Sequence, residues 1–323
     1  MEYKNLGNTG IKVSSLCFGT MTFGAQADPK TSADLFQRCR EVGINFFDCA
    51  NVYAGGRSEE ILGTLIADCR DQIVLTSKFY GATGEDINAR GASRYNIRQA
   101  TEASLRRLNT DHIDVYFIHH FPADTALDDV LRSFDDLVSQ GKILYPAASN
   151  FAAWQIAKAL GISAVRGWAR FEVIQPMYNL VKRQAEVEIL PLAQSENMGV
   201  IPYSPLGGGL LTGKYGPDHK PDQGRLVENP MYMKRYGQEW VYQVAADFTR
   251  FAQERGYEPA ALAVAWVAAH PGVTAPIIGA RSLEQLEGSL KSLEIMMTEE
   301  LRAEISALSP TPPPATDRAE EQA

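Results

Sequence analysis

Four polar residues that could carry out acid–base chemistry stand at or just after short apolar runs: Asp48, Tyr53, Lys78 and His119. Such runs are typical of buried strands, so these side chains would gather where strands end. A tyrosine can donate a proton, a lysine can lower the tyrosine pKa, an aspartate can hold the lysine, and a histidine can position a carbonyl oxygen. These are the residue types that the reduction of a carbonyl group requires.

Each of the four residues also has a purely structural explanation. Asp48 could cap a turn, and Tyr53 could pack a loop. Lys78 could be a solvated strand end, and His119 could be a core histidine. The functional explanation is favoured because four such residues in order at strand ends are improbable by chance. The neighbouring pair His119 and His120 does not indicate a metal site. Adjacent residues of a strand point to opposite faces and cannot easily share one ion, so we expect no bound metal.

Strand-like and helix-like stretches alternate along the chain after an amino-terminal hairpin that turns near residues 7–10. The predicted strands lie near 17–20, 45–48, 74–78, 115–119, 143–147, 173–175, 200–203 and 275–278. Helical patterns follow, including 33–42, 58–67, 97–108, 130–140, 154–160, 186–196 and 283–290. This alternation predicts one (β/α)8 TIM barrel, at 1–308, with the four polar residues at the carboxyl ends of its strands. An open doubly wound sheet that binds a dinucleotide would normally carry a Gly-x-Gly-x-x-Gly turn after its first strand, which is lacking.

The composition is that of a globular protein, with 45% hydrophobic and 22% charged residues, and no apolar run approaches the length of a membrane span. A net charge of −8 without a basic cluster argues against nucleic acid or a membrane as a partner. The amino terminus lacks a secretory signal and the four cysteines lack metal-site spacing, so we expect a cytoplasmic protein with reduced thiols. The Pro-rich, charged stretch 309–323 is predicted to be a disordered tail.

Ordered motifs along nearly the whole chain make the sequence resemble the aldo-keto reductases. They lie at residues 16–21, 45–48, 104–108, 113–119, 149–151, 203–206 and 279–281. The resemblance implies an NADPH-dependent oxidoreductase that reduces an aldehyde or ketone to an alcohol, with Tyr53 as the general acid. It also implies a small-molecule carbonyl or alcohol as the substrate and leaves the oligomeric state open.

The resemblance further implies a set of NADP(H) contacts. These are Gly19, Thr20, Met21, Ser149, Asn150, Gln175, Tyr203, Ser204, Leu206, Gly208, Lys214, Gly279, Arg281, Ser282, Gln285 and Ser289. Ser282 and Gln285 also have the spacing of a capping box, and a helix amino terminus attracts phosphate. Two departures weaken the match: Ser289 replaces the usual Asn near the adenine, and Pro146 predicts a local bulge in the fifth barrel strand.

Two long connections, at 81–94 and 215–238, are predicted to enclose the substrate, with Tyr80, His120 and Tyr232 as contacts. Residues 208–214 match the phosphate loop Gly-x-x-x-x-Gly-Lys, but Tyr215 replaces the Ser or Thr that would hold magnesium. A nucleotide hydrolase is therefore a distant alternative. A closer one is a cofactor-sensing subunit, because the potassium-channel beta subunits share this architecture.

Overall fold

The structure, a computed structural model, describes residues 1–318 and 320. Its strands are β1 Tyr3–Asn5, β2 Lys12–Ser14, β3 Cys17–Gly19, β4 Phe46–Asp48, β5 Val74–Phe79, β6 Ile113–Ile118, β7 Ile143–Ser149, β8 Val173–Gln175, β9 Gly199–Val200 and β10 Ile277–Ile278. Its helices are α1 Pro29–Glu41, α2 Arg57–Ile66, α3 Arg94–Leu108, α4 Leu127–Ser139, α5 Ala153–Arg166, α6 Ile189–Ser195, α7 Arg225–Glu228, α8 Pro230–Tyr236, α9 Glu239–Glu254, α10 Pro259–Ala268, α11 Leu283–Leu290 and α12 Glu299–Ser306. Short 3-10 helices lie at Gly7–Thr9, Tyr53–Gly56, Arg70–Gln72, Gln184–Glu186, Gly207–Thr212 and Lys291–Glu294.

The strands from β3 to β10 form a parallel sheet of eight strands within the described residues, in the order β10-β3-β4-β5-β6-β7-β8-β9. Backbone hydrogen bonds join its two ends. Thr274 N donates to Val200 O at 2.9 Å, and Ile277 N donates to Pro202 O at 2.9 Å. With helices around the sheet, this closure confirms the predicted (β/α)8 barrel.

Side-chain alternation along the strands separates two cores. In β6, Val115 and Phe117 belong to the cluster that fills the barrel interior, whereas Tyr116 and Ile118 pack in the larger cluster between strands and helices. This is the alternation that a strand covered on both faces requires. It makes the residue at each strand end point either into the barrel mouth or toward the helices.

The predicted amino-terminal hairpin is confirmed, since β1 pairs antiparallel with β2. Leu6 and Val13 join the interior cluster, so the hairpin covers the barrel end opposite the carboxyl ends of the strands. A Cβ atom on Gly7 would lie 2.5 Å from the Gly199 backbone nitrogen, and Gly7 has a φ of +55°. Glycine is therefore required where the hairpin contacts β9.

The bulge expected at Pro146 is wrong, because β7 pairs with β6 in unbroken register through Tyr116↔Pro146 and Phe117↔Ala147. The Pro146 carbonyl accepts from Glu172 N at 3.0 Å, just before β8 begins. In a strand the nitrogen and carbonyl of one residue face the same neighbour. The missing N–H of Pro146 therefore faces chain that precedes β8, where no ladder bond is lost.

The residues directly after α12 are held by Arg183. The Ser309 carbonyl accepts from Arg183 Nη1 at 3.4 Å, and residues 310–318 form neither helix nor strand. The remainder of the predicted tail lies at 319–323, of which only residue 320 is described. Within the described residues, no helix combines the length and apolarity needed to cross a bilayer.

Candidate active site

The ends of three neighbouring strands bring the four predicted catalytic residues together. Asp48 is the last residue of β4, Lys78 is the penultimate residue of β5, and His119 directly follows β6. Tyr53 opens the short 3-10 helix that follows β4. The carboxyl ends of parallel barrel strands face the same way, which places all four side chains at one mouth of the barrel.

Lys78 is the centre of this group, and its side chain is fully buried. Its ammonium donates to Asp48 Oδ2 at 2.6 Å, to the Cys49 carbonyl at 2.7 Å and to Tyr53 Oη at 3.3 Å. These three acceptors match the three protons of an ammonium group. The amine is thereby held with one N–H aimed at the tyrosine hydroxyl.

The second carboxylate oxygen of Asp48 is also occupied. It accepts from Thr76 Oγ1 at 2.7 Å and from Gln175 Nε2 at 2.9 Å. These two donors and the Lys78 ammonium fix the orientation of the carboxylate. Thr76 and Gln175 were not predicted in this role. The shared strand face of Thr76 and Lys78 is a signal that could have identified Thr76.

Burial and charge set the protonation states of the group. Burial raises the pKa of Tyr53 to about 12, although the Lys78 charge acts in the lowering direction that the sequence predicted. Burial also disfavours the Lys78 ammonium, but the interactions with Asp48, Tyr53 and Cys49 together outweigh burial, and the lysine pKa is raised. Burial, with help from Lys78 and His120, lowers the pKa of His119 to about 2. Near pH 7 the tyrosine and histidine are neutral and the lysine is charged.

The rings of His119 and His120 stack at a centroid distance of 5.1 Å and an interplanar angle of 15°. The expectation that they point to opposite faces was wrong, because β6 ends at Ile118 and strand alternation stops there. The Tyr80 and His120 rings pack edge to face with their centroids 5.6 Å apart. The Tyr53 and His119 rings also pack edge to face, with centroids 6.3 Å apart. Tyr80 and His120 therefore lie beside the four residues, where the sequence predicted substrate contacts.

The described residues hold no group of three or more His, Cys, Asp or Glu arranged for a metal ion.

The residues expected around a nicotinamide form a connected group next to His119. Tyr203 Oη donates to Asn150 Oδ1 at 2.6 Å. Asn150 Nδ2 donates to the His119 carbonyl at 2.9 Å and to Ser149 Oγ at 3.1 Å. Asn150 holds a φ of +59°, a conformation that asparagine tolerates better than most residues. Gln175 differs, because its amide nitrogen is committed to Asp48.

The glycine-rich turn after β9 has three consecutive residues with positive φ: Gly207 at +59°, Gly208 at +70° and Gly209 at +104°. Successive backbone amides in such turns can form a concave anion site. Leu206 is half-buried and Lys214 is exposed. No helix begins at Lys214 in the described chain, since the next one starts at Arg225, so the phosphate-loop alternative lacks its helix.

Other predicted contacts in this region have firm structural partners. The Ser204 carbonyl accepts from Asn179 Nδ2 at 2.9 Å. The Tyr232 side chain is buried, and a Cβ atom on Gly208 would lie 2.7 Å from its ring. Tyr232 therefore packs under the glycine-rich turn and offers little surface to a substrate.

The start of α11 has the predicted cap in modified form. Ser282 Oγ accepts from Gln285 N at 3.4 Å, while Gln285 Oε1 accepts from Arg281 N at 3.2 Å instead of from the cap residue. Gly279 and Arg281 are exposed. This helix end therefore presents an exposed guanidinium beside the backbone N–H groups of its first turn, as a phosphate site requires.

Like Ser149 and Gln175, three further predicted cofactor contacts, Gly19, Thr20 and Ser289, are buried in the structure. Ser289 is 1% exposed on α11. A Cβ atom on Gly19 would lie 2.7 Å from Ile277 Cγ2, and Thr20 Oγ1 lies 2.9 Å from Ser58 Oγ. All three have packing roles, whereas the neighbouring Met21 is partly exposed.

Comparison with known proteins agrees with this geometry. The model of the Aldo/keto reductase family matches residues 15–310. The uncharacterized oxidoreductase YrpG of Bacillus subtilis (strain 168) is 37% identical over 324 residues, covering 97% of each chain. A probable voltage-gated potassium channel subunit beta of Arabidopsis thaliana is 38% identical over 304 residues, covering 92% of each chain. The norsolorinic acid reductase of Aspergillus flavus is 30% identical over 318 residues, 94% of this chain and 79% of that protein. The chain therefore belongs to the aldo/keto reductase family of oxidoreductases.

Proposed function

We propose that the protein reduces an aldehyde or ketone to an alcohol with NADPH, and that Tyr53 is the general acid. The observation that carries this proposal is the hydrogen-bonded series from Asp48 through Lys78 to Tyr53, beside a neutral His119. If the Asp48–Lys78 ion pair served stability alone, it would not require the Tyr53 hydroxyl 3.3 Å from the Lys78 ammonium at the mouth of the barrel. Carbonyl reduction needs both groups there.

Each of the four residues has a distinct part in the reaction. Tyr53 keeps its proton near pH 7 and releases it to the oxygen on which negative charge develops. Lys78 stabilises the resulting phenolate, and Asp48 keeps Lys78 charged and oriented. His119, as a neutral imidazole, donates a ring N–H to the carbonyl oxygen. When bound, the nicotinamide supplies the hydride.

The chain offers groups that fit NADP(H). Among the described residues, an added Cβ atom on Gly209 would meet no atom within 4 Å, so the glycine-rich turn leaves open space at its backbone. The start of α11 and the exposed Arg281 fit the 2′-phosphate that distinguishes NADP from NAD. Ser149, Asn150 and Tyr203 fit the nicotinamide end. We place the reaction in the cytoplasm, which the free cysteines support, and in one domain at 1–308.

A second candidate is a regulatory subunit that senses the cofactor. It is favoured by the 38% identity to a probable potassium channel subunit beta. The complete set of Asp48, Tyr53, Lys78 and His119 supports turnover instead, as does the similarity to a norsolorinic acid reductase.

The test is NADPH oxidation with a panel of aldehydes and ketones, comparing wild type with Tyr53→Phe. We expect kcat to fall roughly 10²- to 10⁴-fold, because the variant lacks the transferable proton. The dissociation constant of NADPH, measured by fluorescence titration, should stay within twofold of wild type. Full activity in Tyr53→Phe would refute the general-acid role. NADPH binding without turnover of any carbonyl by wild type would favour the sensing subunit.

A further inference from the structure

Three cations surround two tyrosines of helix α8. The guanidinium carbons of Arg225 and Arg235 lie 5.5 Å and 5.2 Å from the centroid of the Tyr232 ring. Lys182 Nζ lies 5.6 Å from the centroid of the Tyr236 ring. Cation–π contacts of this kind hold the charges in place without neutralising them.

In the part of the chain that the structure describes, these cations have no acidic partners. Within residues 1–318 and 320, Lys182, Arg225 and Arg235 make no salt bridge, and the hydrogen bond of Arg235 goes to the Met231 sulfur at 3.7 Å, a weak acceptor. The next residue, Arg183, does have an acidic partner, since Arg183 Nη2 lies 2.9 Å from Glu186 Oε2. The chain has 39 acidic and 31 basic residues, so the shortage of acidic partners is confined to this part of the surface.

The cations are connected to the candidate active site through the side chains between them. Asn179 Nδ2 donates to Tyr236 Oη at 3.1 Å and to the Ser204 carbonyl at 2.9 Å. Ser204 follows Tyr203, whose hydroxyl reaches Asn150 beside His119. Burial raises the pKa of Tyr203, and the charge of Arg235 acts in the lowering direction.

Two of the cations lie over rings of the same helix, because Arg235 contacts Tyr232 and Lys182 contacts Tyr236, about one turn further along α8. Burial lowers the pKa of Lys182, and the charge of Arg235 lowers it further. Holding like charges together and partly desolvated without a counter-ion is unfavourable for the folded protein. Such an arrangement is relieved when an anion binds between the charges.

We propose that Lys182 and Arg235 bind an anionic group of the substrate, a carboxylate or a phosphate, at the rim of the pocket. The substrate class is then an aldehyde or ketone that carries a negative charge away from its carbonyl group. This inference rests on the proposed function. Cofactor phosphate has the same chemistry, and the experiment separates the two sources.

The experiment compares 4-carboxybenzaldehyde with its uncharged methyl ester as substrates, with NADPH, in wild type, Arg235→Gln and Lys182→Gln. Glutamine retains much of the stem over each tyrosine ring and removes the charge. Lys234→Gln is the matched control, because Lys234 is exposed on the same helix as Arg235. Calorimetric titration of 4-carboxybenzaldehyde into protein saturated with NADP⁺ measures the same preference without turnover.

Wild type should prefer the carboxylate. In Arg235→Gln, the ratio of kcat/KM for the acid to that for the ester should fall roughly tenfold to a hundredfold, as expected for a charge-assisted hydrogen bond. The Lys234→Gln ratio should match wild type. An unchanged ratio in Arg235→Gln overturns the inference, and so does weaker NADP⁺ binding with an unchanged ratio, which assigns the cations to the cofactor. Arg235-dependent binding of the acid without turnover would refute the proposed function and retain the anion site.

Discussion

Lys78 determines the electrostatics of the candidate active site. Its ammonium is fully buried and 2.6 Å from the Asp48 carboxylate. Burying such a pair costs desolvation energy that its Coulombic attraction only partly repays, and an apolar pair of the same volume is often as stable. The pair is therefore explained by what Lys78 does for Tyr53, more than by stability.

Removing the charge of Asp48 should expose the cost of that burial. In Asp48→Asn the buried ammonium loses its counter-ion, so we expect the free energy of unfolding to fall by about 3–5 kcal/mol. Urea denaturation followed by circular dichroism measures the change. The control is Asp128→Asn, whose carboxylate forms a 3.5 Å pair with Arg166 on the surface and should change stability by less than about 1 kcal/mol. Equal effects in both variants would contradict this account of the pair.

Among the elements, helix α2 shows how closely the barrel helices pack. An added Cβ atom on Gly63 would lie 2.6 Å from the Arg107 carbonyl oxygen and 2.6 Å from the Leu108 carbonyl carbon, both at the end of α3. Neither atom belongs to a flexible side chain, so the two helices would have to move apart. Gly161 in α5 is exposed, and an added Cβ atom there would meet nothing within 4 Å.

These two helical glycines should therefore respond oppositely to alanine. Gly161→Ala should raise the free energy of unfolding by about 0.5–1 kcal/mol, because alanine loses less backbone entropy on folding. Gly63→Ala should lower it by about 1–3 kcal/mol, because the added methyl group overpacks the α2–α3 contact. Thermal and urea denaturation of both variants test this pair. A stabilised Gly63→Ala variant would show that the helices separate at little cost.

The stability of the whole molecule should depend on pH through two partly buried histidines, His119 and His270. Burial lowers the pKa of His119 to about 2 and that of His270 to about 4, from an ordinary value of 6.5. Below pH 6.5 the unfolded chain binds protons that the folded protein does not, so stability falls as pH falls. Each histidine contributes at most about 1.4 kcal/mol per pH unit in this window.

His119→Asn should reduce this dependence. Between pH 7.5 and 5.0 the variant should lose up to about 2 kcal/mol less unfolding free energy than wild type, because one of the protonating groups is gone. Urea denaturation at both pH values measures the difference, which separates His119 from carboxylates that titrate in both proteins. Identical losses in the two proteins would mean that His119 titrates normally in the folded state.

The alternation of strands and helices, the amino-terminal hairpin and the placement of Asp48, Lys78 and His119 at strand ends could be predicted from the sequence. Hydrophobic periodicity is a local property, so it is readable without knowing how distant elements pack. The same periodicity, applied past Ile118, gave the wrong orientation for His119 and His120. Periodicity says where a strand lies but fixes its end only approximately.

Packing between distant elements decided the rest. Gln175 reaches Asp48 across 127 residues of sequence, a contact that depends on the curvature of the closed barrel. Ser289 is buried by the elements that pack against α11. Pro146 costs no ladder bond because its missing N–H faces chain that lies outside the neighbouring strand. The sequence by itself determined the order of the elements and the residue types at the barrel mouth. Only the tertiary structure decided which hydrogen bonds those residues make, because partners far apart along the chain meet only after the barrel closes.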